Sequence, residues 1–143
     1  MRLIEIPYYQ TKSFSKFILD YVSGGKSLAP FYNRFPTLDN FKLQILEKQK
    51  QPLNRKVLVA TLNQQYSGLE TTQLVKENIE SLTSENTFTV ATGHQLCLFT
   101  GPLYFIYKII TTLNLAEKLT AEYPEYNFVP IYWMATEDND FKE

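Results

Sequence analysis

Thr87-Phe88-Thr89-Val90-Ala91 and Phe128-Val129-Pro130-Ile131-Tyr132-Trp133-Met134 frame the stretch whose reading decides the fold. The first run is short, β-branched and aromatic, the composition of a strand. The second is continuously apolar, as a strand buried on both faces of a parallel sheet is. Pro130, near its start, is tolerated at an edge or in the first residues of a strand. Between the two runs, Thr92-Gly93-His94-Gln95 reads as a loop and Thr100-Gly101-Pro102 as a helix start. Proline suits the first helical position because its missing N–H has no intrahelical partner there. Leu103, Ile106, Tyr107, Ile110, Leu113 and Ala116 then give an apolar stripe at helical spacing. The stripe predicts a helix to Glu122, roughly 30 Å long at ~1.5 Å per residue, with Pro124 just past its end. Strand, loop, helix, strand is a βαβ unit, and its crossover is expected to be right-handed. Ligands of such sheets bind beyond the carboxyl ends of the strands. The loop at residues 92–95 and the loop Thr136-Glu137-Asp138-Asn139-Asp140 are therefore expected to share one edge, where the chemistry lies.

Upstream, the patterning is helical. Ser13 is placed to cap a helix carrying Phe14, Phe17, Ile18 and Tyr21, which Gly24-Gly25 would end. Residues 28–36 hold Pro30, Pro36 and three aromatics, and read as an irregular connection. Thr37 or Asp39 opens a second helix to about Lys50, and further helices follow over residues 54–66 and 71–82. The expected fold class is α/β. A mainly helical region over residues 1–86 precedes the start of a Rossmann-like core over residues 87–143, whose parallel sheet is incomplete. The chain stops at Phe141-Lys142-Glu143, directly after a strand and an acidic cluster, and reads as a truncated fragment.

Composition narrows the function classes. The chain has 143 residues, 44% hydrophobic and 20% charged, enough for a sizeable core. A net charge of −1 and the lack of a basic stripe speak against a nucleic-acid partner. The start MRLIEIPYYQ is too polar for a signal peptide, and no apolar run approaches the roughly 18 residues of a spanning helix. A soluble cytoplasmic protein is expected, without a membrane partner.

The candidate chemistry sits on the two loops. His94, the only histidine, could donate to a phosphate or act as a general acid or base, or be satisfied within its loop. Gly93 would let backbone approach a ligand closely, and Gln95 would offer its amide. The helix start at Thr100 and Gly101 could attract an anion or be an ordinary cap. Tyr104 lies in the first turn of that helix. Lys108, one turn further on, could neutralise a phosphate or lie free at the surface. Glu137, Asp138 and Asp140 could share a metal, orient an amine or take a proton, or form a solvated acidic turn. No metal site is inferred from them. Cys97 reads as a small buried hydrophobe without an activating partner. Ser23-Gly24-Gly25-Lys26-Ser27 imitates the end of a phosphate-binding loop but follows a helix and lacks the earlier glycine, so it is a helix terminus.

Ala91-Thr92-Gly93-His94-Gln95, then Phe99-Thr100-Gly101-Pro102-Leu103-Tyr104 with Tyr107-Lys108, resembles the bacillithiol biosynthesis cysteine-adding enzymes, the BshC family. Val129-Pro130-Ile131-Tyr132-Trp133-Met134-Ala135, followed by Glu137-Asp138 and Asp140-Phe141, resembles the next strand and acidic loop of the same family. The resemblance implies a ligase that adds cysteine to glucosaminyl-malate in the last step of bacillithiol synthesis, forming an amide between the cysteine carboxyl and the sugar amine. It implies a nucleotide-fold core, further domains and a coiled coil that supports homodimers, of which this chain would be the N-terminal portion. The family's acidic loop commonly has histidine where this chain has Asn139, which can hydrogen-bond but cannot titrate.

On this reading His94, Glu137, Asp138 and Asp140 are the catalytic candidates. Gly93, Gln95, Thr100, Gly101, Tyr104, Lys108 and Asn139 are the substrate- or nucleotide-binding ones. A nucleotide such as ATP is the plausible activator of the carboxyl group. The rival readings are a non-catalytic nucleotide- or sugar-binding module and an inactive fragment of the enzyme.

Overall fold

The computed structural model describes residues 4–99 and 101–137. The chain divides into two compact units, Met1–Glu47 and Lys48–Glu143. The first contains α1 (Tyr8–Thr11), α2 (Lys16–Val22), a 3-10 helix (Lys26–Phe31) and nearly all of α3 (Leu38–Lys48). Ser15, rather than Ser13, caps α2, its Oγ accepting from the Ile18 N–H at 3.4 Å. Ser13 is engaged in the turn that follows α1, where its hydroxyl donates to Thr11 O at 3.2 Å. At the other end of α2, Gly24 (φ 71°) turns left-handed. Its N–H reaches Tyr21 O at 2.9 Å, and the Gly25 N–H reaches Asp20 O at 2.7 Å. This pair of bonds is a Schellman cap, a conformation that glycine adopts without a Cβ clash. The connection read as irregular holds the 3-10 helix with Pro30 inside it. Arg34 ties the connection to α3 through Glu47, at 2.6 Å, and Gln44, at 2.9 Å.

The second unit begins with α4 (Arg55–Tyr66) and α5 (Gln73–Ser81). Asn54 and Thr72 cap them, accepting from the N–H groups of Val57 and Val75 at 3.2 and 3.4 Å. Then come β1 (Thr87–Gln95), α6 (Leu103–Glu122) and β2 (Asn127–Ala135). The strands pair in parallel, in register from Thr87↔Asn127 to Gln95↔Ala135. This is the βαβ unit the sequence predicts, flanked upstream by helices.

Alternation along the strands assigns the two faces. Val129 is buried with Val59, Ile79 and Leu82, and Ile131 packs against this cluster, so one face carries α4 and α5. The other carries α6, where Phe105 meets Tyr132 edge-on at 5.5 Å between ring centroids. Because α4 and α5 bury their apolar residues on β2, they belong to the same compact unit as the strands, the unit that begins at Lys48. Arg55 fastens this arrangement by donating to Leu82 O at 2.9 Å and to Thr87 O at 3.1 Å.

Two local expectations change. Residues 92–95 continue β1 instead of forming a loop, each paired with a residue of β2. The glycine that resembles a loop residue is there for packing: a Cβ on Gly93 would lie 3.0 Å from Trp133 O and 3.1 Å from Trp133 Cβ, its partner in register. Pro102 is the N-cap of α6, with extended backbone (φ −71°, ψ 154°), and Leu103 is the first helical residue. Among the described residues no helix is long and apolar enough to cross a membrane.

The core assignment has a direct test. Ile79→Ala should cost about 2–4 kcal/mol in chemical denaturation, the range for truncating a buried aliphatic side chain. Leu74→Ala, on the same helix but 64% exposed, should stay within about 0.5 kcal/mol of the parent protein.

Candidate functional site

His94 is the penultimate residue of β1 and faces α6, its ring edge-on to Phe105 at 5.7 Å and tilted against Tyr104 at 5.1 Å. Its Nδ1 lies 3.0 Å from Gln95 O and its Nε2 lies 2.6 Å from the Tyr104 hydroxyl. A carbonyl oxygen can only accept, so in the neutral ring the proton belongs on Nδ1. Nε2 is then the acceptor and the Tyr104 phenol the donor. The strand's own backbone thus sets the tautomer, and the free lone pair of the imidazole points at an exposed hydroxyl.

Cys97 is half-buried, with its Sγ 3.3 Å from the same Nδ1 and 3.5 Å from Gln95 O. It is therefore not the partnerless apolar residue the sequence suggests. With Nδ1 protonated, the ring nitrogen that faces the sulfur has no lone pair to take the thiol proton, and the S–H donates to Gln95 O. The sulfur buttresses the imidazole instead of being activated by it.

Two aromatic residues complete the cluster and were not singled out in the sequence. The Tyr132 hydroxyl donates to His94 O at 3.3 Å across the sheet, and Phe105 wedges between Tyr132 and the imidazole. Burial pushes the Tyr132 phenol above the ordinary tyrosine value, and the negative form of Cys97 nearby adds to the shift. The signal was present: period-two alternation from Phe128 puts Tyr132 on the face of His94 once the register is known.

Lys108 neither lies free nor is committed to an anion. Its ammonium donates to Gly93 O at 3.2 Å and stands 5.3 Å from the centroid of the Tyr104 ring, a cation–π distance. Gly101 closes the approach to α6, its N–H donating to Leu98 O at 2.9 Å, with φ at 65°. A Cβ there would lie 2.6 Å from Cys97 Cβ and 2.8 Å from Sγ. Within this segment Phe99 adopts a positive φ of 49° and is 97% exposed. Gln95 ends β1 on the face opposite His94 and contributes its carbonyl to the cluster. Glu137 is exposed in the turn after β2, at the shared carboxyl edge of the strands. Thr100, Asp138, Asn139 and Asp140 lie outside the described residues.

The structure thus gathers Gly93, His94, Gln95, Cys97, Gly101, Tyr104 and Lys108 at one end of β1. At this edge the Lys108 ammonium and the N–H groups of the first turn of α6 are groups of the kind that suit an anion. Among the described residues no three His, Cys, Asp or Glu side chains converge to hold a metal ion.

Two outcomes follow from this geometry. Gly101→Ala should destabilise the protein by more than the roughly 1 kcal/mol of a left-handed alanine, because the methyl group also displaces Cys97, and Cys97→Ala in the same chain should recover part of the loss in denaturation midpoint. For Tyr132, the folded value lies above the unfolded one. Its contribution to stability is complete below about pH 10 and is lost as pH rises through the raised folded value. Urea denaturation across that alkaline window should show a shallower decline for Tyr132→Phe than for the parent protein.

Comparison with known proteins adds the family context. The family model described as "Bacillithiol biosynthesis BshC, N-terminal Rossmann-like domain" matches residues 1–143. The chain is 58% identical over 140 residues to a Christiangramia forsetii protein named "Putative cysteine ligase BshC", covering 96% of this chain and 26% of that protein. The same name is carried by a Flavobacterium johnsoniae protein, 56% identical over 138 residues, with 94% and 26% covered. A Chlorobaculum tepidum protein, also so named, is 36% identical over 137 residues, with 92% and 24% covered. The chain therefore spans about a quarter of the length of the curated relatives it matches.

Proposed function

Because the chain belongs to the bacillithiol biosynthesis BshC family, as its N-terminal Rossmann-like domain, we propose that it supplies the acid–base half of a cysteine ligase site. The reaction is amide formation between the carboxyl group of cysteine and the amine of glucosaminyl-malate, the last step of bacillithiol synthesis. The observation that carries this reading is the 2.6 Å contact between His94 Nε2 and the Tyr104 hydroxyl at the carboxyl edge of two parallel strands.

An amine attacks a carboxyl carbon only as the free base, and it must shed a proton as the amide forms. The Tyr104 phenol is exposed and bonded to a histidine lone pair, so it can take the amine proton while passing its own to Nε2. Lys108, 5.3 Å from the centroid of the Tyr104 ring, offsets negative charge gathering on the phenol oxygen during the transfer. Once protonated, the imidazole keeps its Nδ1–H bond to Gln95 O and presents Nε2–H to Tyr104. The cluster holds both protonation states with the same partners and needs little reorganisation between them.

A nucleotide such as ATP would supply activation of the carboxyl group, so that the C–O bond to the activating phosphate breaks, and that phosphate leaves with the oxygen, as the C–N bond forms. Lys108 and the first turn of α6, with Thr100 and Gly101, would meet its anionic portion. Gly93 and Gln95 shape the floor of this edge, while Glu137, Asp138, Asn139 and Asp140 would orient the amine or hold sugar hydroxyls. The whole protein would work as a cytoplasmic homodimer.

His94→Gln and Tyr104→Phe, made in the whole protein, should each lower kcat by about 10²–10⁴-fold, the usual contribution of a positioned acid or base. KM for cysteine should change only a few-fold. Product formation from glucosaminyl-malate and cysteine is the measurement, and parental rates in both variants would remove the assignment.

A further inference from the structure

At the opposite end of the sheet, an open cleft of about 1030 Å³ is lined by Lys48, Lys50, Arg55 and Lys56, with Glu85 on its wall. We propose that this cleft is a second binding site, for a compact ligand carrying two or more phosphate charges.

Four cations and one carboxylate line this cleft, an imbalance that the net charge of −1 for the chain conceals. The volume is at the upper end of the usual range for small-molecule sites. Arg55 is the deepest of the cations. It is half-buried, and its guanidinium is held by the carbonyl oxygens of Leu82 and Thr87 at 2.9 and 3.1 Å. Both of these partners are neutral, so they orient the group and leave its charge for another ligand. A guanidinium has five N–H donors, and these two bonds leave others to turn toward the cleft. Lys50 and Lys56 are exposed, and their ammonium groups act as mobile point charges around this fixed one. Such a set suits phosphate, which spreads charge over several oxygens per group, better than a single carboxylate.

The cleft is distinct from the His94 cluster. Arg55 binds the carbonyl of Thr87, where β1 starts, and His94 stands near the other end of that strand. At about 3.3 Å per residue the two lie roughly 23 Å apart. The site would serve a ligand that is not consumed at the histidine edge.

Calorimetric titration of the whole protein with inorganic pyrophosphate tests this. One saturable site per chain is expected, with affinity that weakens as salt is raised. Lys50→Gln/Lys56→Gln should weaken binding at least tenfold, and both positions are exposed, so the fold should persist. Lys108→Gln should leave the affinity unchanged, separating this site from the anion-binding edge proposed beside α6. Tricarballylate, of comparable charge but without phosphate, should bind at least tenfold more weakly than pyrophosphate. The proposal falls if the parent protein shows no saturable binding or if the double variant binds as tightly as the parent. Equal affinity for the tricarboxylate would overturn the phosphate assignment.

Discussion

Parallel pairing of β1 with β2 is the constraint from which the second unit takes its form. Parallel neighbours cannot be joined by a tight turn and need a crossover, which here is α6. The crossover covers one face of the sheet and leaves the other to α4 and α5. It also brings the carboxyl ends of both strands to one edge. Register matters as much as direction. A slip of one residue would turn His94 to the α4–α5 face, away from Tyr104, and would set a residue with a Cβ against Trp133.

The polar groups at that edge are arranged around backbone carbonyls. Gln95 O fixes the imidazole proton and takes the Cys97 thiol, Gly93 O takes Lys108, and His94 O takes Tyr132. Three consecutive carbonyls near the end of one strand thereby organise four side chains, from β1 itself, α6, β2 and the intervening segment. Carbonyl oxygens carry no net charge, so they orient these groups without neutralising them. Arg55 is treated the same way at the far end of the sheet.

Much of this was legible in the sequence. A β-branched run, a continuous apolar run and the helical spacing between them pointed to the order strand, helix, strand, and Asn54 and Thr72 stood where α4 and α5 are capped. What could not be read locally depended on partners distant in the chain. The end of β1 looks like a loop because Gly93 is a poor strand former, and only the presence of Trp133 alongside explains it. The cap falls at Ser15 and not at Ser13 because Ser13 is taken up in the turn after α1, a helix too short to show a pattern. Of the candidate residues gathered at this edge, His94 was singled out by its chemistry, whereas Lys108 read foremost as a surface lysine. Tyr132 and Phe105 were hidden among core aromatics, and the contact of Cys97 with His94 required the left-handed turn at Gly101.

Burial along α6 is uneven. Ala116 and Leu119, together with Tyr123 just past the helix, are buried, while Leu103, Tyr104 and Tyr107 at the other end are exposed. The helix is anchored most deeply at its C-terminal end, while its other end is held at the surface by Phe105 and Lys108. Over its length of about 30 Å, a tilt of only 3° about the deeper end carries the other about 1.6 Å. A shift of that size would part the Tyr104 hydroxyl from the imidazole at its present 2.6 Å. A surface seated on the exposed end of α6 would therefore set whether the Tyr104–His94 contact is made or broken.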